Sequence, residues 1–204
     1  MLKVIELVEL SPAALHALAQ GDLAEANRAA PIALTPYYVG PDCINVWRRR
    51  SRQIVEDPPA AGWITRIIVD TAKQLAVGRA GYHGPPDEVG MVEVGYSVDP
   101  HHRRQGYARA ALVALLERAT TEPDVHTVRA TISPDNLASR QLVRQYGFAE
   151  VGEQWDDEDG LETIFEVNAV SDSTGTLNPV AVLLASSIVV RNFSRQDMPP
   201  SDRL

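Results

Sequence analysis

Residues 91–109, MVEVGYSVDPHHRRQGYAR, constrain the fold of this chain more than any other stretch. Apolar and aromatic residues alternate there with Glu93, Gly95 and Ser97, which is the periodicity of a β-strand. Asp99-Pro100 ends the strand, because proline has a fixed φ and no N–H to donate to a ladder. A helix is predicted next, since small and apolar residues recur at helical spacing: Ala108, Ala111, Leu112, Leu115, Leu116 and Ala119.

The start of that helix has the features of an anion-binding site. The first N–H groups of a helix lack intrahelical partners and attract negative charge. Gly106 and Ala108 are small, so a phosphate group can approach the backbone closely. Arg103, Arg104 and Arg109 add positive charge. The alternative is an ordinary strand-to-helix turn with solvated arginines, and spacing alone leaves both interpretations open.

Two segments together resemble a known family. RRQGYA at 103–108, after a strand ending in VDP, resembles the R/Q-x-x-G-x-G/A acetyl-CoA signature of the GNAT superfamily of N-acetyltransferases. NLASRQLVRQYGF at 136–148 resembles the N-x-x-S…G-F segment of the same superfamily. With the strand patterns around them, the resemblance extends over residues 3–167. EVGY at 93–96 and Ser139 make the chain most similar to the ribosomal-protein N-terminal acetyltransferase branch.

The resemblance implies an α/β fold with a mixed central sheet of about six or seven strands flanked by helices. The fourth and fifth strands of such a sheet splay apart, and the sequence places them at 91–98 and 125–132. Strand–helix alternation predicts parallel pairing in the middle of the sheet and antiparallel pairing at both ends. Gly95 is consistent either with a bulge or with close packing.

Local signals predict the remaining elements. Ser11 is a helix cap with Pro12 at the first helical position. A helix is predicted at 43–55, with Trp47 facing the core. The basic residues of this helix are expected to be mostly solvated, although they could meet an acidic substrate: Arg48, Arg49, Arg50 and Arg52. Further strands are predicted at 3–10, 63–70, 74–82, 148–154 and 161–167, and further helices at 13–19, 22–30 and 137–146.

The resemblance also implies a site for acetyl-CoA as co-substrate. Backbone groups of Tyr96 and Val98 would bind the pantetheine arm and the thioester, and the amides of residues 104–109 would hold the pyrophosphate. Asn136 and Ser139 would lie beside the thiol end, although Asn136 is equally suited to cap a helix. The expected cofactor-binding residues are therefore Tyr96, Val98, Arg103, Arg104, Gln105, Gly106, Tyr107, Ala108, Arg109, Asn136 and Ser139.

Two carboxylates are candidates for the general base that removes a proton from the acceptor amine. Glu93 lies within the central strand, where burial would raise its pKa, unless it is on the exposed face and only a surface charge. In the ribosomal-protein branch, a serine and a carboxylate have been assigned acid and base roles. Spacing from Gly147-Phe148 places these at Ser139 and Glu158, although Glu158 is also consistent with a solvated turn.

One position departs from the family pattern. Many GNAT enzymes carry a tyrosine general acid seven residues after the Asn, where this chain has Val143, and Tyr146 is expected in the core. Ser139 or water would then protonate the leaving thiolate, or the thiol pKa is low enough that no strong acid is needed. Tyr37 and Tyr38, in the loop predicted at 32–41, are either packing residues or substrate contacts.

Composition excludes several classes of protein. A net charge of −8 argues against a general nucleic-acid or anionic-membrane surface. The single Cys43 excludes an internal disulfide framework, and no secretory signal is recognised, so a cytoplasmic location is expected. His101-His102 lacks a third spaced ligand, so no metal site is expected. The dinucleotide fingerprint and the P-loop motif are absent.

The chain divides into an acetyltransferase domain at 1–167 and an extension at 168–204. The extension contains an apolar run, 180–190, that is expected to pack on the core or against a second subunit, which would make a homodimer; its end is expected to be disordered.

The sequence thus predicts an acetyl-CoA-dependent N-acetyltransferase that acts on a small-molecule amine or a protein N-terminus by direct transfer in a ternary complex. The acidic composition mildly favours a cationic acceptor. The rival hypothesis is a sensor or interaction protein that binds acyl-CoA without turnover, which the missing tyrosine supports.

Overall fold

The structure, a computed structural model, describes residues 3–157 and 160–169, and a single mixed sheet lies at their centre. The strands are Ile5–Val8 (β1), Arg66–Asp70 (β2), Leu75–Tyr82 (β3), Met91–Val98 (β4), Thr127–Ile132 (β5), Ala149–Asp156 (β6) and Gly160–Asn168 (β7). Their order in the described part of the sheet is β1-β2-β3-β4-β5-β7-β6. Only the β4–β5 pair is parallel in this part of the chain, which confirms the predicted mixed α/β sheet.

Helices flank this sheet. The α-helices of the described residues are Pro12–Gln20 (α1), Leu23–Ala29 (α2), Pro41–Glu56 (α3), Tyr107–Thr121 (α4) and Leu137–Gln145 (α5). Short 3-10 helices lie at Pro36–Val39, Pro58–Gly62 and Pro100–His102. The first of these occupies the segment predicted as a loop, where three prolines favour a tight turn over an extended connection.

Local sequence signals set the ends of the first helix. Ser11 Oγ accepts the N–H of Ala14 at 3.2 Å, and Pro12 occupies the first turn. Gly21 closes the helix with a φ of 78°, a left-handed value that favours glycine because it has no Cβ. The predicted cap at Ser11 is confirmed.

Apolar side chains pack on both faces of the sheet. Ile67 belongs to a core beneath α1 and α3, and its neighbour Ile68 belongs to a core beneath α4. Successive residues of a strand point to opposite faces, so these two cores lie on opposite sides of the sheet. Trp47 of α3 and Leu112 of α4 are both fully buried.

The basic run of α3 is not uniformly solvated. Arg50 is 6 % exposed, so the prediction that it is solvated is wrong. The physical reason is helical periodicity: Cys43, Trp47, Arg50 and Ile54 recur at helical spacing on the face that packs on the sheet. The guanidinium is accommodated by hydrogen bonds to neutral oxygens near β2 and β3.

The central parallel pair separates early. The Cα pairs between β4 and β5 are Met91↔Thr127, Val92↔Val128 and Glu93↔Arg129. Strand β4 then continues from Val94 to Val98 without β5 as a partner, whereas β5 goes on pairing with β7 as far as Ile132. The predicted splay between the fourth and fifth strands is confirmed, and it leaves a gap within the sheet.

A buried tyrosine–aspartate hydrogen bond fixes the start of α4 to the end of β2. Tyr107 Oη donates to Asp70 Oδ2 at 2.6 Å, and the N–H of Lys73 donates to Asp70 Oδ1 at 3.0 Å. Burial acts to raise the pKa of Asp70, but these two hydrogen bonds and the charges of Lys73 and Lys3 bring it below its usual range. Helix α4 is thereby oriented with its first turn beside the gap.

We expect Tyr107→Phe to lower the free energy of unfolding by about 1–3 kcal/mol at neutral pH, because Asp70 loses a donor while its charge stays buried. A carboxyl whose folded pKa is depressed stabilises the fold above its unfolded pKa, and this contribution is lost as pH falls through the folded pKa. The difference between the wild type and the variant should therefore shrink in acid. Urea unfolding of both proteins at neutral pH and at about pH 3 checks this; a difference that acid leaves unchanged contradicts it.

Candidate functional site

Backbone groups of β4 line the gap. The N–H of His83 donates to Glu93 O at 2.8 Å, and the N–H of Asp99 donates to Val77 O at 2.9 Å. In an antiparallel ladder, the residues that bond one neighbour alternate with residues whose N–H and C=O point the other way. The odd-numbered residues of β4 therefore bond β3, and the even-numbered ones point toward β5.

Tyr96 and Val98 thus present their backbone groups to the gap, since β5 no longer pairs with β4 at this level. The Val98 carbonyl accepts a hydrogen bond from Arg103 Nε at 3.1 Å, so its N–H is the group left open. The resemblance implies that both residues bind the cofactor through their backbone atoms, and the strand register turns those atoms toward the gap.

The first turn of α4 forms a cradle of amides, which we define as the N–H groups of residues 104–109. Within the described part of the chain, none of them donates to another protein group. Arg104 and Gly106 adopt left-handed φ values of 60° and 88°, which turn the backbone at this point. Free N–H groups at the start of a helix are suited to bind an anion.

Positive charge surrounds the cradle. Arg103, Arg104 and Arg109 are exposed, and Arg109 Nη2 also donates to Gln145 Oε1 at 2.6 Å. Lys3, which the sequence analysis did not single out, places its ammonium 5.1 Å from the centre of the Tyr107 ring. The Tyr107 side chain is buried against Asp70, so only its N–H belongs to the cradle.

A cleft of about 490 Å³ opens at the gap. Its lining comes from α3, β3, β4, β5, β7 and the start of α5. The lining residues include Arg49, Arg50, Arg79, His83, Gly95, Tyr96, Thr131, Asn136, Ser139 and Glu162. Asn136 Oδ1 accepts the N–H of Ser139 at 3.1 Å and so caps α5. Asn136 therefore has the structural role that the sequence offered as its alternative, and it also lines the cleft.

Glu93, with its side chain 20 % exposed, contacts two residues that line this cleft. Thr131 Oγ1 donates to Glu93 Oε1, and the same oxygen is 3.4 Å from His83 Nδ1. The two cleft-lining neighbours place the Glu93 carboxylate between β4 and β5 rather than on an open surface.

His83 completes this arrangement. Its Nε2 faces Gly95, where an added Cβ would lie 3.0 Å away, so the ring covers the strand beside the gap. Burial in the cleft, followed by the positive charges of Arg50, Arg49 and Arg79, lowers the pKa of His83 to about 4. The imidazole, whose side chain is 44 % exposed, is therefore neutral at neutral pH, and its protonated form requires a negative charge nearby to stabilise it.

The far side of the gap holds Tyr96 and Ser139. The Tyr96 hydroxyl is buried without a hydrogen bond to the described residues, the Ser139 side chain is its polar neighbour, and burial raises the pKa of Tyr96. Val143 is fully buried and Tyr146 is 4 % exposed. Tyr146 is therefore a core residue, as predicted. It does not substitute for the tyrosine that many GNAT enzymes carry at the position of Val143.

The two tyrosines of the 3-10 helix have different positions. Tyr38 is fully buried, and its hydroxyl donates to Gly78 O and accepts the N–H of Gly78, both at 2.9 Å. Tyr37 is half-buried, and its hydroxyl is 2.9 Å from Ser97 Oγ on β4. Tyr38 is therefore a packing residue, whereas Tyr37 lies on the face of β4 that also carries His83 and Glu93.

The sequence analysis missed His83 and Arg79 as site residues, whereas it named Arg50 among four basic residues that could meet an acidic substrate. A signal for His83 was present, because the antiparallel hairpin of β3 and β4 pairs it with Glu93 across the turn. Glu158, the other predicted base, lies outside the described residues, as does the extension from residue 170 onward. Among the described residues, no group of His, Cys, Asp and Glu could hold a metal ion, and none of the helices has the length and apolar character that a bilayer crossing requires.

Comparison with known proteins agrees with the geometry. Residues 7–149 match the family described as "Acetyltransferase (GNAT) domain". A curated relative, "Uncharacterized N-acetyltransferase YjdG" of Bacillus subtilis, is 34 % identical over 95 residues, which are 47 % of this chain and 56 % of the relative. The chain thus spans about half the length of the curated relatives it matches.

Solved structures of acetyltransferases share the fold. Mycobacterium smegmatis RimJ in complex with CoA-disulfide has a TM-score of 0.58 at 18 % identity, over 90 % of this chain and 89 % of that one. The ribosomal-protein-S5-alanine acetyltransferase of Vibrio fischeri gives 0.55 at 19 % identity, over 83 % and 93 %. A spermidine N-acetyltransferase SpeG chimera from Vibrio cholerae and hSSAT gives 0.56 at 15 %, over 81 % and 95 %. At such identities the likeness establishes the fold and does not choose an acceptor.

Gly106→Ala tests the cradle. A residue with a Cβ at a φ of 88° adds about 1–2 kcal/mol of strain and distorts the first turn of α4. We expect affinity for CoA, measured by calorimetry, to fall about 5- to 30-fold. Gly21→Ala is the matched control, because its φ of 78° brings similar strain at the end of α1. Equal CoA affinity in the two variants would mean that the amides of residues 104–109 do not bind the cofactor.

Proposed function

Because this chain belongs to the GNAT acetyltransferase family, we propose that it moves an acetyl group from acetyl-CoA to a primary amine by direct transfer in a ternary complex. The observation that carries the proposal is the gap between β4 and β5, which leads to uncommitted amides at the start of α4. An acyl carrier with an anionic diphosphate and a long thiol arm fits this combination of a cradle and a slot.

Each part of the site has a role in binding the carrier. The amides of the cradle and the side chains of Arg103, Arg104 and Arg109 would hold the diphosphate, with Gln105 and Ala108 forming its backbone walls. The backbone groups of Tyr96 and the N–H of Val98 would bind the arm within the gap. Asn136 and Ser139, at the start of α5, would lie at its thiol end.

The carrier supplies an activated acetyl thioester, and the protein must remove a proton from the amine. We assign this to the pair of Glu93 and His83, which are 3.4 Å apart. A neutral imidazole can accept the proton at Nε2, on the side facing the gap, while the Glu93 carboxylate stabilises the resulting cation. Glu158 remains the alternative base, either directly or through water.

A proton must also reach the departing thiolate. Ser139 is the predicted donor, and the buried Tyr96 hydroxyl beside it is suited to replace the proton that Ser139 gives up. This pair would occupy the role left open by Val143, which is buried and apolar.

The rival proposal is an acyl-CoA-binding protein without turnover. The specific observation in its favour is the buried, apolar Val143 at the position where many GNAT enzymes carry a tyrosine general acid. A sensor releases no thiolate and therefore needs no general acid. Calorimetry with CoA and a free-thiol assay with a panel of amines distinguish the two. Binding without thiol release for any amine would support the sensor and reject the enzyme.

Glu93→Gln tests the assignment of the base. We expect the rate of thiol release at saturating acetyl-CoA to fall about 10²- to 10⁴-fold, because the amide cannot stabilise a protonated His83. CoA affinity should stay unchanged, since Glu93 lies away from the cradle. The control is Glu153→Gln, an exposed carboxylate on β6. A Glu93→Gln protein as active as the wild type would leave Glu158 or water as the base.

A further inference from the structure

The acceptor end of the cleft holds an excess of positive charge. Arg49 and Arg50 reach it from α3, and Arg79 reaches it from β3. The carboxylates nearby are Glu93, which contacts Thr131 and His83, and Glu162, which accepts from Gln154 Nε2 at 3.1 Å. This local charge is opposite in sign to the net charge of the chain, −8.

Arg50 is buried in this cluster with neutral partners. Its Nε donates to Thr65 Oγ1 at 3.2 Å, and its Nη1 donates to Gln53 Oε1 and to His83 O, both at 2.9 Å. None of the ion pairs found among the described residues involves Arg50. A buried guanidinium without a counter-charge is costly, and an anionic ligand would offset that cost.

Arg79, at the mouth of the cleft, is likewise hydrogen-bonded to a neutral oxygen. Its Nη2 donates to the carbonyl of Asp42 at 2.9 Å, and its Nε is buried with no partner in the described part of the chain. Burial and then the repulsion from Arg49 and Arg79 lower the pKa of Arg50 to about 10. The positive charge of Arg79 therefore acts against that of the buried Arg50.

The cleft continues outward along α3. A second groove of about 460 Å³ shares Arg49 with it and is lined also by Asn45, Arg48, Arg52, Trp155, Asp156 and Asp157. Trp155 is 74 % exposed, so an aromatic surface is available beside the basic face of α3. An extended chain can enter the cleft with its terminus and lie along this groove, whereas a small amine would fill the inner cleft alone.

We infer that the acceptor is the N-terminus of a polypeptide with acidic residues directly after its first residue. This inference rests on the proposed function and names the acceptor class of the same site. The terminal amine lies toward His83 and Glu93, and the following carboxylates lie against Arg50 and Arg79. A polyamine would instead place a second ammonium against these arginines. The mild preference for a cationic acceptor, drawn from the net charge, is thereby replaced by the opposite preference, drawn from the local charge.

Peptides that share their first residue and carry Asp-Asp, Asn-Asn or Lys-Lys at positions two and three test this inference. Calorimetry on the CoA-saturated protein measures binding without turnover, and the free-thiol assay measures transfer. We expect the Asp-Asp peptide to bind about tenfold more tightly than the Asn-Asn peptide, and the Lys-Lys peptide and spermidine to bind more weakly than both.

Variants of the arginine at the cleft mouth sharpen the test. Arg79→Gln should abolish the preference for Asp-Asp, Arg79→Lys should restore part of it, and Arg28→Gln, on the exposed face of α2, should leave it intact. Equal binding of the Asp-Asp and Asn-Asn peptides, or tighter binding of spermidine, would overturn the inference. Free aspartate binding as tightly as the peptide would overturn the polypeptide acceptor. Tight Asp-Asp binding without thiol release would show that the cleft binds acidic peptide termini, but it would reject the proposed enzyme and with it the role of the peptide as acceptor.

Discussion

The early end of the β4–β5 pairing is the constraint on which the rest of the site depends. Beyond Glu93 the two strands separate, so backbone groups of β4 that a closed sheet would use are left facing a gap. The crossover from β4 to β5 runs through α4, whose first turn follows directly on the end of β4. One break in a ladder therefore creates the slot and places uncommitted amides at its mouth, as expected where strands of an α/β sheet separate.

Electrostatics divides the site into two positive regions within an acidic chain. At the cradle, the charge comes from exposed arginines around open amides, which suits a diphosphate. At the acceptor end, it comes from Arg50 and Arg79, which are held among neutral oxygens. Between them lies Glu93, the carboxylate in contact with His83. The arrangement keeps the imidazole neutral and leaves this end of the cleft short of negative charge, so under the proposed function acceptor binding and proton transfer would both depend on the same arginines.

Much of the fold was predictable because its signals are local. The alternation at Met91–Val98, the proline after it and the stripe of α4 each depend on a few neighbouring residues, as do the caps at Ser11 and Gly21. The predicted GNAT family is confirmed for the same reason, since its motifs are short. The backbone roles of Tyr96 and Val98 were predicted from that resemblance and not from local signals.

What the sequence did not predict depends on packing between distant segments. In the sequence, Arg50 is one of four basic residues that look alike. It is buried because it lies on the same face of α3 as Trp47, which packs against the sheet. The contact of His83 with Glu93 requires the register of β3 on β4, and the position of Ser139 beside the buried Tyr96 hydroxyl requires the packing of α5 near β4. The net charge of −8 does not predict the positive charge of the cleft, because charge is distributed unevenly over the chain.

The most direct test of the central claim is a crystal structure of this chain with CoA bound. The account predicts the diphosphate within hydrogen-bonding distance of the N–H groups of residues 104–109, and the pantetheine arm between β4 and β5 beside Tyr96. A diphosphate bound elsewhere, or β4 and β5 paired beyond Glu93 with the arm outside the sheet, would contradict it.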